Sequence, residues 1–212
     1  MRRVINSEEA GARADAMLYV SALFIAAFSY IALTTNPVYT GIGVEDRAPE
    51  LEGQVNNGGN SWTDFSLTDN YDDSWNIEDG GGTWFAIEFM DINCGHCKNA
   101  AEEVQVRSDD WMENRVITNG DEVRFLAVSI NLGIQGDDYN RENIKKFREN
   151  YNHNFQYMDD LDNSNRDVWD IPGTPTYFLV APNGIIMFAS PDANEGETLW
   201  EAMERIIPTG GV

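Results

Sequence analysis

Eight residues, Thr83 to Met90 (TWFAIEFM), run almost without a break in apolar character and lead directly to two cysteines. A run of this length with one acid inside it, Glu88, reads as a β-strand buried on both faces. Cys94 and Cys97 follow, separated by Gly95 and His96, and they are the only cysteines in 212 residues. A disulfide framework needs several bridges closing long loops, so a structural staple is a poor reading. A tetrahedral zinc site needs more ligands than two thiols, and the chain adds only His96 and the distant His153. A c-type haem attachment needs His directly after the second cysteine, where Lys98 stands. A redox-active dithiol remains, with two inert buried thiols as the alternative.

The pattern downstream alternates. KNAAEEVQVRSDDWMENR, from Lys98, is composed of good helix formers. VRFLAVSI is a second buried strand, followed by a loop through Gly133 and Gly136. NRENIKKFRENY is amphipathic, with Ile144, Phe147 and Tyr151 along one face. TYFLV and IIMFAS are strands joined by the turn Ala181-Pro182-Asn183-Gly184, and ETLWEAMERII closes as a helix. Strand, helix, strand, helix, hairpin and helix predict an α/β fold with a mixed central sheet flanked by helices. Upstream, Leu51 to Thr83 is rich in Asn, Gly and Asp, and a short hairpin using WTDFSL followed by a loop is expected there. Neither DNYDDSWNIEDG nor DDLDNSNRDVWD carries the Gly and Glu that a calcium loop of the EF-hand type requires. No metal and no cofactor are assigned.

Residues 16–33 contain no charge over eighteen positions. As a helix they reach about 27 Å, close to the thickness of a bilayer's hydrocarbon core. The run has no polar face, and no small-residue cleavage site follows it, so an uncleaved anchor is favoured over a cleaved signal that would give a secreted protein. Arg2, Arg3 and Arg13 precede the run, and the next basic residue is Arg47. That asymmetry puts the N-terminal tail in the cytoplasm. The expected organisation is a cytoplasmic tail at 1–15, a transmembrane anchor at 16–34, a linker at 35–48 and an extracytoplasmic domain at 49–212, giving a single-pass plasma-membrane protein. Lys+Arg is 14 against Asp+Glu 36, a formal charge of -22, which excludes nucleic acid as a partner.

Three features together resemble the thioredoxin superfamily over roughly Pro49 to Pro208. Cys94-Gly95-His96-Cys97-Lys98 after a buried strand is similar to the active site of protein disulfide isomerase. Glu88 lies six residues before the first cysteine, where the family places a buried acid. Ile171-Pro172-Gly173-Thr174-Pro175-Thr176 ahead of a strand resembles the family's cis-proline loop. The apolar N-terminal run, the Ala48-Pro49 opening and the later element order are closer to the membrane-anchored TlpA-like proteins. The family usually has Trp immediately before the first cysteine; Asn93 stands there, so substrate preference does not carry over.

These residues fit one chemistry. A thiolate attacks a disulfide, so the first sulfur needs a lowered pKa. Cys94 would face the positive end of a helix dipole, with His96 as a further source of positive charge. Cys97, one turn inward, would resolve a mixed disulfide. A buried Glu88 would have a raised pKa and accept the Cys97 proton; a solvent-facing or salt-bridged Glu88 is the alternative. Thr174-Pro175 is either an ordinary trans turn or a cis peptide whose Thr174 backbone pairs with an extended substrate. His153 reads as surface or structural, and Trp111, Trp169 and Trp200 as core or rim aromatics. The expected activity is thiol–disulfide exchange on protein thiols and disulfides. His96 favours a relatively oxidising couple, while the TlpA-like resemblance implies a reductase fed by a membrane electron carrier. The non-enzymatic alternative is a thioredoxin-fold module that binds client proteins; a peroxidase finds no matching motif.

Overall fold

The computed structural model describes residues 7–34, 40–134, 139–190 and 196–210, with the side chains of 15–30 in the first helix. The chain divides into two compact units, 1–38 and 39–212. The first contains α1 (Ser7–Thr34), and all its described side chains are exposed. Among the described residues no helix is long and apolar enough to cross a membrane. The expected anchor at 16–34 falls within α1, but its side chains beyond 30 lie outside the described residues. So do positions 1–6 of the expected tail and 35–39 of the expected linker.

Among its described residues the second unit has seven strands: β1 (Glu52–Asn56), β2 (Thr63–Ser66), β3 (Thr83–Met90), β4 (Glu122–Ile130), β5 (Gln156–Asp160), β6 (Thr176–Val180) and β7 (Ile186–Ala189). Their order across the sheet is β2-β1-β5-β4-β3-β6-β7. β3, β4 and β5 run parallel, and the remaining pairings are antiparallel, so the sheet is mixed as expected. The expected hairpin through WTDFSL is β1–β2. β3, the all-but-apolar run, lies between β4 and β6 with seven of its eight residues buried, because both sheet faces are covered.

One face carries α2 (Gly95–Asp109), α3 (Arg141–Asn150) and α5 (Leu199–Ile206), whose buried Val104, Phe147 and Trp200 join a cluster with Ala86, Phe125 and Tyr157 of the sheet. Thr198 and Glu201 form a reciprocal cap at the start of α5. The other face packs Leu51, Leu67 and Trp169 on Phe89, Leu126 and Phe178. Residues 45–48, placed in the expected linker, are part of this unit: the Ala48 amide donates to the Gly184 carbonyl at 2.9 Å and the Ile186 amide to the Asp46 carbonyl at 2.9 Å.

β5 and the short α4 (Ser164–Val168) are additions to the expected element order. Their sequence, QYMDDLDNSNRDV, reads as an acidic loop, yet Asp160 is 1% exposed. Its carboxylate accepts from the Asn165 and Arg166 amides at 2.9 Å each and from the Ser164 hydroxyl at 3.1 Å, so it serves the open N–H groups at the start of α4.

Asp121 does similar work at the opposite end of β3. It accepts from the indoles of Trp84 (2.8 Å) and Trp75 (3.0 Å), the Gly82 amide (2.8 Å) and the Asn119 side chain (2.9 Å). Gly82 has no room for a side chain: a Cβ would come within 2.4 Å of Pro182 and 2.7 Å of Trp75. Burial pushes the Asp121 carboxyl up, but the four donors outweigh it and hold its pKa below the ordinary value. Asp121→Ala strands these donors and is expected to cost about 2–4 kcal/mol in equilibrium unfolding. Because the folded pKa is depressed, the stability Asp121 contributes is present above the unfolded-state value of about 3.9 and lost as pH falls through its lower folded value. The gap between parent and Asp121→Ala should therefore close on acidification, which urea unfolding at a series of pH values checks.

Candidate functional site

β3 ends at Met90, and a short turn hands the chain to α2. Cys94 is the N-cap of that helix, with φ -66° and ψ 126°, and its amide donates to the Asp91 carbonyl at 3.0 Å. Its Sγ–H donates to the Thr174 carbonyl at 3.5 Å, and the Thr174-Pro175 peptide is cis. Ahead of β6, the Thr174-Pro175 loop thus meets the first sulfur. Both thiols are free. Cys94 is 6% exposed and Cys97 is 1% exposed, which leaves Cys94 the more accessible sulfur. His96, between them, is exposed on the first turn of α2.

The two sulfurs are displaced in opposite directions. Burial pushes the Cys94 thiol up, but the Thr174 side chain, the Cys97 amide and thiol and the His96 amide favour its thiolate and bring the pKa down. The Thr174 hydroxyl is buried and has no hydrogen-bond partner among the described residues, so it is uncommitted beside the sulfurs. Cys97 moves far up: burial dominates and the Glu88 charge adds to it, with the Asp91 backbone and the nearby Thr174 side chain pulling the other way.

Glu88 is 3% exposed, which excludes the solvent-facing alternative. It forms no ion pair among the described residues; the Tyr177 hydroxyl donates to it at 3.2 Å. Burial pushes its pKa up to about 7, and the Tyr177 bond opposes this. Strand register explains the surroundings. Glu88 is opposite Tyr177 on β6 and Ala127 on β4, and Ala127 is opposite Tyr157 on β5. All four lie in one row across the sheet, and the small Ala127 leaves the Glu88 and Tyr157 side chains on either side of it.

Tyr157 leads to His153. His153 Nε2 lies 2.9 Å from the Ala101 carbonyl and Nδ1 lies 2.6 Å from the Tyr157 hydroxyl. A carbonyl only accepts, so Nε2 carries the proton and the Tyr157 hydroxyl donates to Nδ1. Burial lowers the His153 pKa and keeps the ring neutral. His153 is therefore structural, tying β5 to the helix that carries the cysteines. Trp111, Trp169 and Trp200 are all buried in the core.

Asp91 went unread in the sequence. Fully buried, it accepts from the Asn93 amide at 2.7 Å, the Leu132 amide at 2.8 Å and the Tyr139 hydroxyl at 2.9 Å. It thereby ties the turn before Cys94 to the loop after β4. The signal was available: an acid at the end of an apolar strand invites the same question as Glu88. Among the described residues, no three His, Cys, Asp or Glu side chains gather as a metal site.

No protein-family model matches the sequence, and no curated protein matches it. Solved structures do match. The thioredoxin domain of a thiol-disulfide oxidoreductase from Bacteroides vulgatus superposes with TM-score 0.52 at 18% identity, covering 79% of this chain and 98% of that one. A hypothetical protein from Sinorhizobium meliloti gives TM-score 0.53 at 18% identity, covering 80% and 82%. The reduced 2-Cys peroxiredoxin of Plasmodium vivax gives 0.50 at 16% identity, covering 72% of each chain. Likeness at these identities is likeness of fold, and the fold is thioredoxin-like. Since a peroxiredoxin shares it, the chemistry has to be argued from the site.

Opposite displacement of the two sulfurs predicts selective alkylation. Iodoacetamide at pH 7 should modify Cys94 and spare Cys97 in the reduced protein, with a midpoint for Cys94 below the ordinary cysteine value of about 8.5. Thr174→Val removes the uncommitted hydroxyl and should move that midpoint up. Peptide mapping that finds both sulfurs modified alike contradicts the assignment.

Proposed function

We propose that this chain is a membrane-anchored, extracytoplasmic thiol–disulfide oxidoreductase that acts on protein substrates through Cys94 and Cys97. The observation that carries the reading is the asymmetry of the pair: a thiolate-favouring sulfur at a helix N-terminus and a buried, proton-retaining sulfur one turn on, beside a carboxyl poised near neutrality. Inert thiols need none of this.

The Cys94 thiolate attacks one sulfur of a substrate disulfide. The substrate S–S bond breaks, a mixed disulfide forms, and the departing substrate thiolate takes a proton from solvent. Glu88, ionised for part of the time near neutral pH, takes the Cys97 proton. The Cys97 thiolate then attacks the Cys94 sulfur, closing the Cys94–Cys97 disulfide and releasing the second substrate thiolate. Two electrons have passed from the dithiol to the substrate, and a dithiol donor, such as a membrane electron carrier, restores the pair. Run backwards, the same steps donate a disulfide; the potential of the couple against its partners sets the direction. His96 and the Thr174-Pro175 loop belong to the attacking side, the first through its backbone amide beside the Cys94 sulfur and the second by offering backbone to an extended substrate.

Anchoring is supported by the uncharged run at 16–33, by its helical conformation and by the exposure of Met17, Leu18, Leu23, Phe24 and Phe28. The arginines ahead of the run support the orientation. Protease added outside intact cells should remove the 39–212 unit; protection until lysis overturns the orientation.

The chemistry is tested on Glu88. Its folded pKa is raised, so as pH rises from the unfolded value of about 4.3 through about 7 the parent loses stability relative to a neutral isostere. Glu88→Gln should thus be more stable than the parent above pH 7, by up to about 3 kcal/mol. Release of the mixed disulfide should nevertheless slow about tenfold or more and lose its pH dependence near neutrality. In the same assay Cys97→Ser should accumulate mixed disulfides through Cys94, and Cys94→Ser should not. A Glu88→Gln protein that is less stable, or that exchanges at the parental rate, removes Glu88 from the mechanism.

A further inference from the structure

A groove of about 270 Å³ lies beside the cysteine motif. It runs between Ile92 and Asn93, which lead into Cys94, and the flank of α3. Ile92, Phe147 and Tyr151 make its apolar floor, and the exposed Lys98 and Lys146 stand at its rim. In the sheet order, α3 leads into β5 on the β4 side of β3, while Thr174 precedes β6 on the other side. Cys94 therefore sits between the Thr174 loop and this groove.

Charge indicates what the groove receives. The chain has three lysines, Lys98, Lys145 and Lys146, against a formal charge of -22. Lys145 is engaged by Glu142 at 3.5 Å and Asn60 at 2.8 Å. Lys98 and Lys146 form no ion pair among the described residues, although six arginines do: Arg47, Arg107, Arg115, Arg124, Arg141 and Arg205. Lys98 also sits in the first turn of α2, where the helix dipole disfavours a cation and where no acid offsets it. A residue placed against its local electrostatic preference marks a functional constraint. Arg148 and Arg166 also lack an ion pair among the described residues, but they are committed to backbone carbonyls, Arg148 to Phe155 and Asn57 and Arg166 to Asn131. Lys98 and Lys146 thus stand exposed beside Cys94 on a surface that otherwise repels acidic partners.

We propose that this groove docks an acidic stretch of the substrate polypeptide, an apolar side chain on the floor and a carboxylate between Lys98 and Lys146, next to the cysteine that Cys94 attacks. This rests on the oxidoreductase reading above and adds the substrate class. Charges at a rim act mainly on encounter, so the preference appears in the second-order rate and weakens with salt.

The test uses the reduced full-length protein and two disulfide-bonded peptides, identical except for Asp-Glu or Lys-Lys beside a Leu flanking one cysteine. Each rate is divided by the same protein's rate with a small uncharged disulfide, so any change in Cys94 reactivity cancels. The parent should favour the acidic peptide about three- to tenfold at low salt, and less at physiological salt. Lys98→Gln/Lys146→Gln should abolish the preference, and Lys146→Glu alone, on α3 away from the cysteines, should reverse or flatten it. A parent without preference, or a preference that survives in both variants, overturns the groove and leaves the oxidoreductase reading standing. Failure to exchange even with the small disulfide overturns the oxidoreductase reading itself, and the groove with it.

Discussion

The Glu88 carboxyl is desolvated in the middle of the central strand, and the packing around it follows from that. A carboxylate surrounded by apolar groups is costly unless it gains a partner or a proton. Here it gains one hydroxyl, from Tyr177, and its pKa rises to about 7. The same low-dielectric surroundings hold the neighbouring Cys97 in its protonated form, because a second anion beside Glu88 would be costlier still. The two groups influence each other because β3 positions one and α2 positions the other. His153 tightens that relation by bonding β5's Tyr157 to the Ala101 carbonyl of α2.

Cys94 differs from Cys97 by position rather than by chemistry. It sits one step outside the helix, where the His96 and Cys97 amides point at its sulfur, and those amides favour the anion. Burial acts on both sulfurs with the same sign; Thr174, and after it the groups at the helix terminus, reverse its effect at only one. A pair of identical residues three positions apart thereby acquires opposite proton affinities.

Three buried aspartates among the described residues show how an acidic chain builds an interior. Asp91, Asp121 and Asp160 each collect several donors, and each stands where a strand meets a turn. Their carboxylates replace the backbone partners that loops cannot supply. Asp160 is why β5 and α4 were hidden: in a list of residues, QYMDDLDNSNRDV looks like a solvated loop, because spacing cannot distinguish a carboxylate facing water from one facing backbone amides. Glu88 was legible by the opposite logic, since one acid inside TWFAIEFM has no solvated face on which to hide.

The sequence by itself determined the order of the elements around β3, the placement of two cysteines at the start of a helix, and the presence of one acid in an apolar strand. These are local matters of periodicity and spacing, and they need no knowledge of what lies across the sheet. Tertiary structure alone decided that Thr174 meets Cys94, that Tyr177 and Tyr157 flank Glu88 in one row, that Asp91 ties the active turn to a distant loop, and that Lys98 and Lys146 share a groove. Each of those joins residues from about forty to ninety positions apart, and strand register, not chain order, brings them together. A carboxyl's pKa, a thiol's nucleophilicity and a lysine's counter-charge are set by neighbours of that kind, which is why the chemistry waited on the fold.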